Sequence, residues 1–212
     1  MSKKILFQGD SITDFFRSRD DDSKLGMGYS LLVSSELGFE NPGEYEFINR
    51  GISGNRIVDV YARMNLDILK IKPDYMSLLI GVNDVWHENY GNGLSEKKYE
   101  KIYTMLLEEI FEELPDIKIM LLEPFVLKGV ATESTEENPT RWETFNKEVR
   151  LRAAAARRVA EKFNLPFVTL QDKFDAALEL APSNYWLYDG VHPTPNGHEL
   201  IKREWIKTFK TL

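Results

Sequence analysis

Five short apolar runs constrain the fold of this chain more than any other feature. They fall at residues 5–7, 45–48, 75–80, 117–122 and 167–170, several without the polar alternation of a strand that has one wet face. Continuous apolar strands fit a parallel sheet covered on both sides. Amphipathic stretches at 28–37, 57–69, 95–114, 142–163 and 196–209 separate or follow them. In 95–114, Tyr99, Ile102, Leu106, Ile110 and Leu114 share one helical stripe, with Ser95 placed to cap the helix and Pro115 to stop it. In 142–163 the stripe is Phe145, Val149, Ala153, Ala156, Ala160 and Phe163. Its basic residues Arg150, Arg152, Arg157 and Arg158 are expected on a solvated surface or at subunit contacts. The last helix can bury Leu200, Ile201, Trp205 and Phe209. This alternation implies a three-layer α/β/α sandwich with a central parallel sheet of about five strands, in one domain over residues 1–212. The longest irregular stretch, 123–140, is either a binding element or a plain surface excursion.

Composition removes several classes of function. There is no Cys, so disulfides, a thiol nucleophile and thiolate metal ligands are excluded. With 27 Lys plus Arg against 34 Asp plus Glu, the chain has no basic field to attract nucleic acid. No stretch approaches the roughly 20 apolar residues of a membrane span. The first apolar run ends at Gln8-Gly9-Asp10, far short of a signal-peptide core, so a cytoplasmic protein is expected.

Ligands of an open parallel sheet collect beyond the carboxyl ends of its strands. Four polar motifs fall at such ends or in the last loop: Gly9-Asp10-Ser11-Ile12-Thr13-Asp14, Asn49-Arg50-Gly51-Ile52-Ser53-Gly54-Asn55, Gly81-Val82-Asn83-Asp84 and Asp189-Gly190-Val191-His192. Ser11 is either an activated nucleophile or a residue that caps a helix or closes a turn. His192 is the best base among His87, His192 and His198, and Asp189 lies three residues before it, where its carboxylate can hold the imidazole tautomer. A purely structural Asp–His contact is the alternative. The Ser11 N–H, the Gly54 N–H and the Asn83 amide are candidate donors to a developing oxyanion. Gly54 reads equally as a turn glycine, and Asn83 as a cap of the next helix. Asp10, Asp14 and Asp84 are expected to organise loops and caps. No G-x-S-x-G elbow, phosphate loop or full dinucleotide fingerprint is present.

With these blocks in view, the sequence resembles the SGNH, or GDSL-type, hydrolases. Gly9-Asp10-Ser11 looks like the family's nucleophile block, with Ile12 where many members have Leu. Gly51-Ile52-Ser53-Gly54, Gly81-Val82-Asn83-Asp84 and Asp189-Gly190-Val191-His192 look like its glycine, asparagine and Asp-x-x-His blocks. The resemblance implies a flavodoxin-like fold, Ser11 as nucleophile, His192 as base, Asp189 as its partner, and Ser11, Gly54 and Asn83 as the oxyanion hole. It implies no metal and no organic cofactor.

Within that family the chain is most similar in appearance to intracellular bacterial acetylxylan esterases. Gly51-Ile52-Ser53-Gly54-Asn55, Ile80-Gly81-Val82-Asn83-Asp84-Val85-Trp86 and Asp189-Gly190-Val191-His192-Pro193 carry this resemblance. It implies an acetylated carbohydrate substrate and a homo-oligomer, dimer or octamer. Trp86, His87, Tyr90, Trp186 and Tyr188 lie beside the catalytic blocks and are candidate substrate contacts, or else packing residues. The alternatives are a broad short-chain carboxylesterase, a lysophospholipase- or thioesterase-like hydrolase, and a carbohydrate-binding protein without turnover.

Overall fold

The strands form where the apolar runs lie, because a two-sided sheet buries every side chain along them. The computed structural model describes residues 2–212, apart from the side chain of Asn89. Its strands are β1 (Lys3–Gly9), β2 (Tyr45–Asn49), β3 (Tyr75–Leu79), β4 (Lys118–Leu122) and β5 (Phe167–Val168). All pair in parallel in the order β2-β1-β3-β4-β5. Successive residues alternate between two cores. Ile5 and Phe7 join Val33, Met120, Phe174 and Trp205 on one face, whereas Leu6 joins Val60, Leu78, Leu106 and Val159 on the other.

The helices that follow are α1 (Ser11–Asp14), α2 (Tyr29–Glu40), α3 (Ile57–Met64), α4 (Val82–Trp86), α5 (Glu96–Glu113), α6 (Arg141–Lys162), α7 (Gln171–Ala177), α8 (Ser183–Trp186) and α9 (Pro195–Phe209). Helices α2, α7 and α9 supply the first core; α3 and α5 supply the second, and α6 reaches both. This is the three-layer α/β/α sandwich.

Some local expectations change. The single helix expected over 57–69 becomes α3 followed by a wider π-turn, Asn65–Leu69, in which the Lys70 N–H reaches the Asn65 carbonyl at 3.0 Å. Strand β5 ends two residues early because the Glu123 carboxylate accepts the N–H groups of Leu170 and Gln171, at 2.7 and 2.9 Å, and so starts α7. The Ser95 hydroxyl makes no capping hydrogen bond. Instead, Arg158 ties Glu96 of that first turn, and Glu100 one turn on, to α6. Arg152 is not a surface residue. It sits three residues after Val149 on the inward stripe, is fully buried, and is neutralised by Glu148 and Glu88 while donating to the Leu94 carbonyl.

Sheet register positions the site. Gly9 lies beside Leu79, and Phe7 beside Asn49, so the chain leaves β1, β2 and β3 along one edge. The chain turns to opposite sides after β1 and β2, which opens a crevice between β1 and β3 at their carboxyl ends.

Candidate active site

Strand β1 delivers Ser11 into that crevice. The Asp10 carboxylate accepts the Ile12 N–H at 3.0 Å, capping α1 and leaving Ser11 as its first residue. Burial pushes the Asp10 carboxyl up to about 6, opposed by the Ile12 N–H and by nearby His192.

A compact turn between α8 and α9 supplies the other two groups. Asp189 Oδ1 accepts the backbone N–H groups of Val191 and His192, at 2.9 and 2.8 Å, which fixes the carboxylate before it meets the ring. Asp189 Oδ2 lies 2.7 Å from His192 Nδ1, and His192 Nε2 lies 3.0 Å from Ser11 Oγ. With Nδ1–H donating to the ionised carboxylate, Nε2 is left to accept the serine proton. Burial raises the Asp189 carboxyl, but hydrogen bonds from the His192 ring and from the His192 and Val191 backbones overcome this and hold it at about 2. The same bond to Asp189 raises His192 above its usual value, against partial burial.

The irregular segment 123–140 underpins this turn. The Leu127 N–H donates to the Gly190 carbonyl at 2.9 Å, and the Ala131 N–H donates to the Asp189 carbonyl at 3.0 Å. Phe125, Val126, Leu127 and Thr132 of the segment are buried. Gly129 allows the close approach, since a Cβ there would stand 2.6 Å from the Asp189 carbonyl carbon and oxygen. Replacing Gly129 with Ala is therefore expected to push the Asp189 turn away from Ser11. We expect a stability loss of about 1–3 kcal/mol in urea denaturation, with catalytic activity down by about tenfold or more. Native activity in that variant would free the turn from its buttress.

The glycine and asparagine blocks meet each other, and the glycine block also bonds the end of β1. The Ile52 N–H bonds the Gly9 carbonyl at 3.0 Å, and Asn83 Nδ2 donates to the Asn55 carbonyl at 3.1 Å. Asp84, fully buried, accepts the Ile57 N–H with both oxygens at 3.2 Å, coupling the start of α3 to α4; burial holds its carboxyl well above the usual range. Gly54 has φ +81°, with nothing within 4 Å of where a Cβ would stand, so its backbone is open to an approaching ligand. Among the described residues the N–H groups of Ser11 and Gly54 have no acceptor, and Asn83 Nδ2 has a second hydrogen to offer. Unsatisfied N–H donors of this kind are able to receive a ligand oxygen.

Ser11 and His192 open on a cleft of about 530 Å³ lined also by Asp14, Phe15, Phe16, Arg17, Arg19, Ser53 and Tyr188. Of the aromatic residues singled out in the sequence, Tyr188 is on this wall. Trp186 lines a separate groove between α7 and α9, and its indole N–H donates to the Ala177 and Ala181 carbonyls. Trp86 packs edge-on against Phe145 beneath Arg141, while His87 and Tyr90 pair edge-to-face on a 3₁₀ turn after α4. Among the described residues, no three imidazole or carboxylate groups converge as metal ligands would, and no helix is long and apolar enough to cross a membrane.

Comparison with known proteins gives the family. The model of the GDSL-like Lipase/Acylhydrolase family matches residues 7–200. The chain belongs to this family. It is 33% identical over 213 residues to an acetylxylan esterase of Geobacillus stearothermophilus, covering 97% of this chain and 93% of that one. A Parabacteroides merdae protein provisionally classed as a GDSL-like lipase superposes with a TM-score of 0.91 at 37% identity, over 100% of this chain and 98% of the other. Axe2, an acetylxylan esterase from Geobacillus stearothermophilus, superposes with a TM-score of 0.81 at 31% identity, over 97% and 93%. Structures of Axe2 with a serine, an aspartate or a histidine replaced by alanine are described as catalytic mutants.

The sequence left the contribution of residues 15–19 to the cleft of this GDSL-like hydrolase unseen. Its one signal was position, directly after the nucleophile block. His198 is a second feature beneath the site. Fully buried in α9, it accepts the Tyr29 N–H through Nδ1 at 3.1 Å and meets the Phe15 ring at 4.2 Å. Burial, then the nearby His192, holds His198 down at about 3 from 6.5. Between those values the unfolded chain binds a proton that the folded one refuses, so stability falls as pH drops below 6.5 and levels off below about 3. The slope from this group is at most about 1.4 kcal/mol per pH unit. His198→Asn, which keeps an acceptor for Tyr29, is expected to flatten denaturation midpoints between pH 6.5 and 4. An equally steep fall in the variant would assign the effect elsewhere.

Proposed function

We propose that this GDSL-family chain is a serine esterase, one hydrolase domain over residues 1–212, that removes acetyl groups from short xylo-oligosaccharides through an acetyl-enzyme. The observation that carries this reading is the hydrogen-bonded line from Ser11 Oγ through His192 to Asp189 at the mouth of the cleft. Ser11 Oγ attacks the ester carbonyl as His192 Nε2 takes its proton, and Asp189 stabilises the imidazolium that forms. The N–H groups of Ser11, Gly54 and Asn83 receive the negative charge of the tetrahedral species; one such donor contributes roughly 3–4 kcal/mol in comparable sites. His192 then gives its proton to the departing sugar oxygen, which leaves as a hydroxyl, and water repeats the sequence on the acetyl-enzyme.

Support for an acetylated sugar comes from similarity to the acetylxylan esterases and from exposed Tyr188, whose ring can lie against a pyranose. Cytoplasmic residence and assembly as a dimer or octamer belong to the same reading. The test is acetate release from acetylated xylo-oligosaccharides, run beside p-nitrophenyl esters of increasing chain length. Acetyl esters are expected to be the best substrates; rates that climb with acyl length would point to a broader carboxylesterase, and no hydrolysis of any ester to a binding protein.

A further inference from the structure

Arg17 is more than nine-tenths buried, lines the cleft beside Ser11 and His192, and has no carboxylate within salt-bridge distance among the described residues. Its Nε donates to the Gly51 carbonyl at 2.7 Å and its Nη1 to the Ser18 carbonyl at 3.1 Å, which positions the guanidinium without neutralising it. Burial, and then the repulsion of Arg19, lowers Arg17 to about 10. Arg19 lies on the same wall with its side chain half exposed. It also donates to the Gly51 carbonyl, at 3.0 Å, and its other nitrogen meets Asp14 at 2.6 Å. Asp14 is already shared, accepting the Ser53 N–H and hydroxyl at 2.9 Å each. Two guanidiniums on one carbonyl, with one carboxylate between them, form a site in which an incoming anion relieves repulsion and gains charge-assisted hydrogen bonds.

The same wall projects an aromatic ring. Phe16 has φ +65° and is 76% exposed, and the preceding Phe15 also has positive φ. Bulky residues adopt that backbone only where the surroundings hold it, and here the Met27 N–H grips the Phe15 carbonyl and the Arg17 N–H grips that of Asp14. Phe16 and the exposed Tyr188 therefore give the cleft two ring faces next to its cationic pair.

We propose that the preferred substrate carries a carboxylate as well as an acetyl ester, as in an acetylated xylo-oligosaccharide branched with a uronic acid, and that Arg17 and Arg19 bind that carboxylate. This rests on the esterase reading above for its acetyl group, but the binding does not require turnover. The first measurement is calorimetric binding of deacetylated oligosaccharides, with and without the uronate, to the Ser11→Ala protein. The second is kcat/KM for acetate release from the acetylated pair by the native protein. An acidic-to-neutral preference of about tenfold, the size of one charge-assisted hydrogen bond, is expected in both and should shrink with added salt. Arg19→Gln should bring the ratio toward one, and Arg19→Lys should restore part of it. Equal binding of the two oligosaccharides, or a preference untouched by Arg19→Gln, overturns the inference. Selective uronate binding without acetate release sustains the carboxylate site and overturns the esterase reading alone.

Discussion

Replacing Ser11 with Ala is expected to lower kcat/KM for acetyl-ester hydrolysis by about 10⁴-fold or more, a barrier increase of roughly 5.5 kcal/mol. The hydroxyl is the one atom group removed, and its partner is His192 Nε2 at 3.0 Å. Cap and helix stay, since Asp10 rather than Ser11 supplies the side-chain bond that starts α1. Circular dichroism and the denaturation midpoint should therefore remain near native while acetate release collapses. Residual hydrolysis above the rate in water would come from the backbone N–H kept at position 11, from the Gly54 and Asn83 donors and from substrate positioning. Undiminished release by the alanine variant would remove Ser11 from the chemistry.

Asp189→Asn should cost nearly as much, about 10⁴-fold in kcat, and it carries a second signature. Asparagine keeps the shape of the turn but offers His192 no carboxylate, so the ring loses its fixed tautomer and the main cause of its raised pKa. With His192 as the base we propose, activity requires its neutral form and is expected to fall as pH drops through its raised value, so the acid limb of kcat/KM is expected above 6.5. In the asparagine variant that limb should move to lower pH. Stability responds with the opposite sign on each partner. The contribution of His192 is complete below 6.5 and lost as pH rises through its raised value, whereas that of Asp189 is present above 3.8 and lost as pH falls through about 2. A variant whose acid limb stays where the native one lies would show that Asp189 does not set the protonation of His192.

The layers of the fold were legible because burial on both faces of a parallel strand leaves a run of apolar residues, and five such runs are present. Strand ends were less legible. Where β5 stops depends on Glu123, more than forty residues away, whose carboxylate captures the Leu170 and Gln171 N–H groups. Arg152 misled for a related reason. A helical stripe counts side chains but does not show which one finds two carboxylates and a carbonyl waiting inside.

For the site, the sequence by itself determined the chemical inventory: a serine after the first strand, an Asp-x-x-His loop near the end, and polar glycine and asparagine blocks between. Backbone–side-chain bonding of Asp189 to Val191 and His192 is local and follows from short spacing. The 3.0 Å meeting of Ser11 with His192 spans 181 residues and exists only because the sheet order brings the carboxyl end of β1 to that loop. The cleft wall was likewise decided by tertiary contact. Phe16 and Arg17 acquire their positions from Met27, Asp14 and Gly51, and the Asp189 turn acquires its buttress from the irregular segment through Gly129. Local periodicity encodes which residues face the core; groups that act together across the chain are set by long-range packing, which no single segment contains.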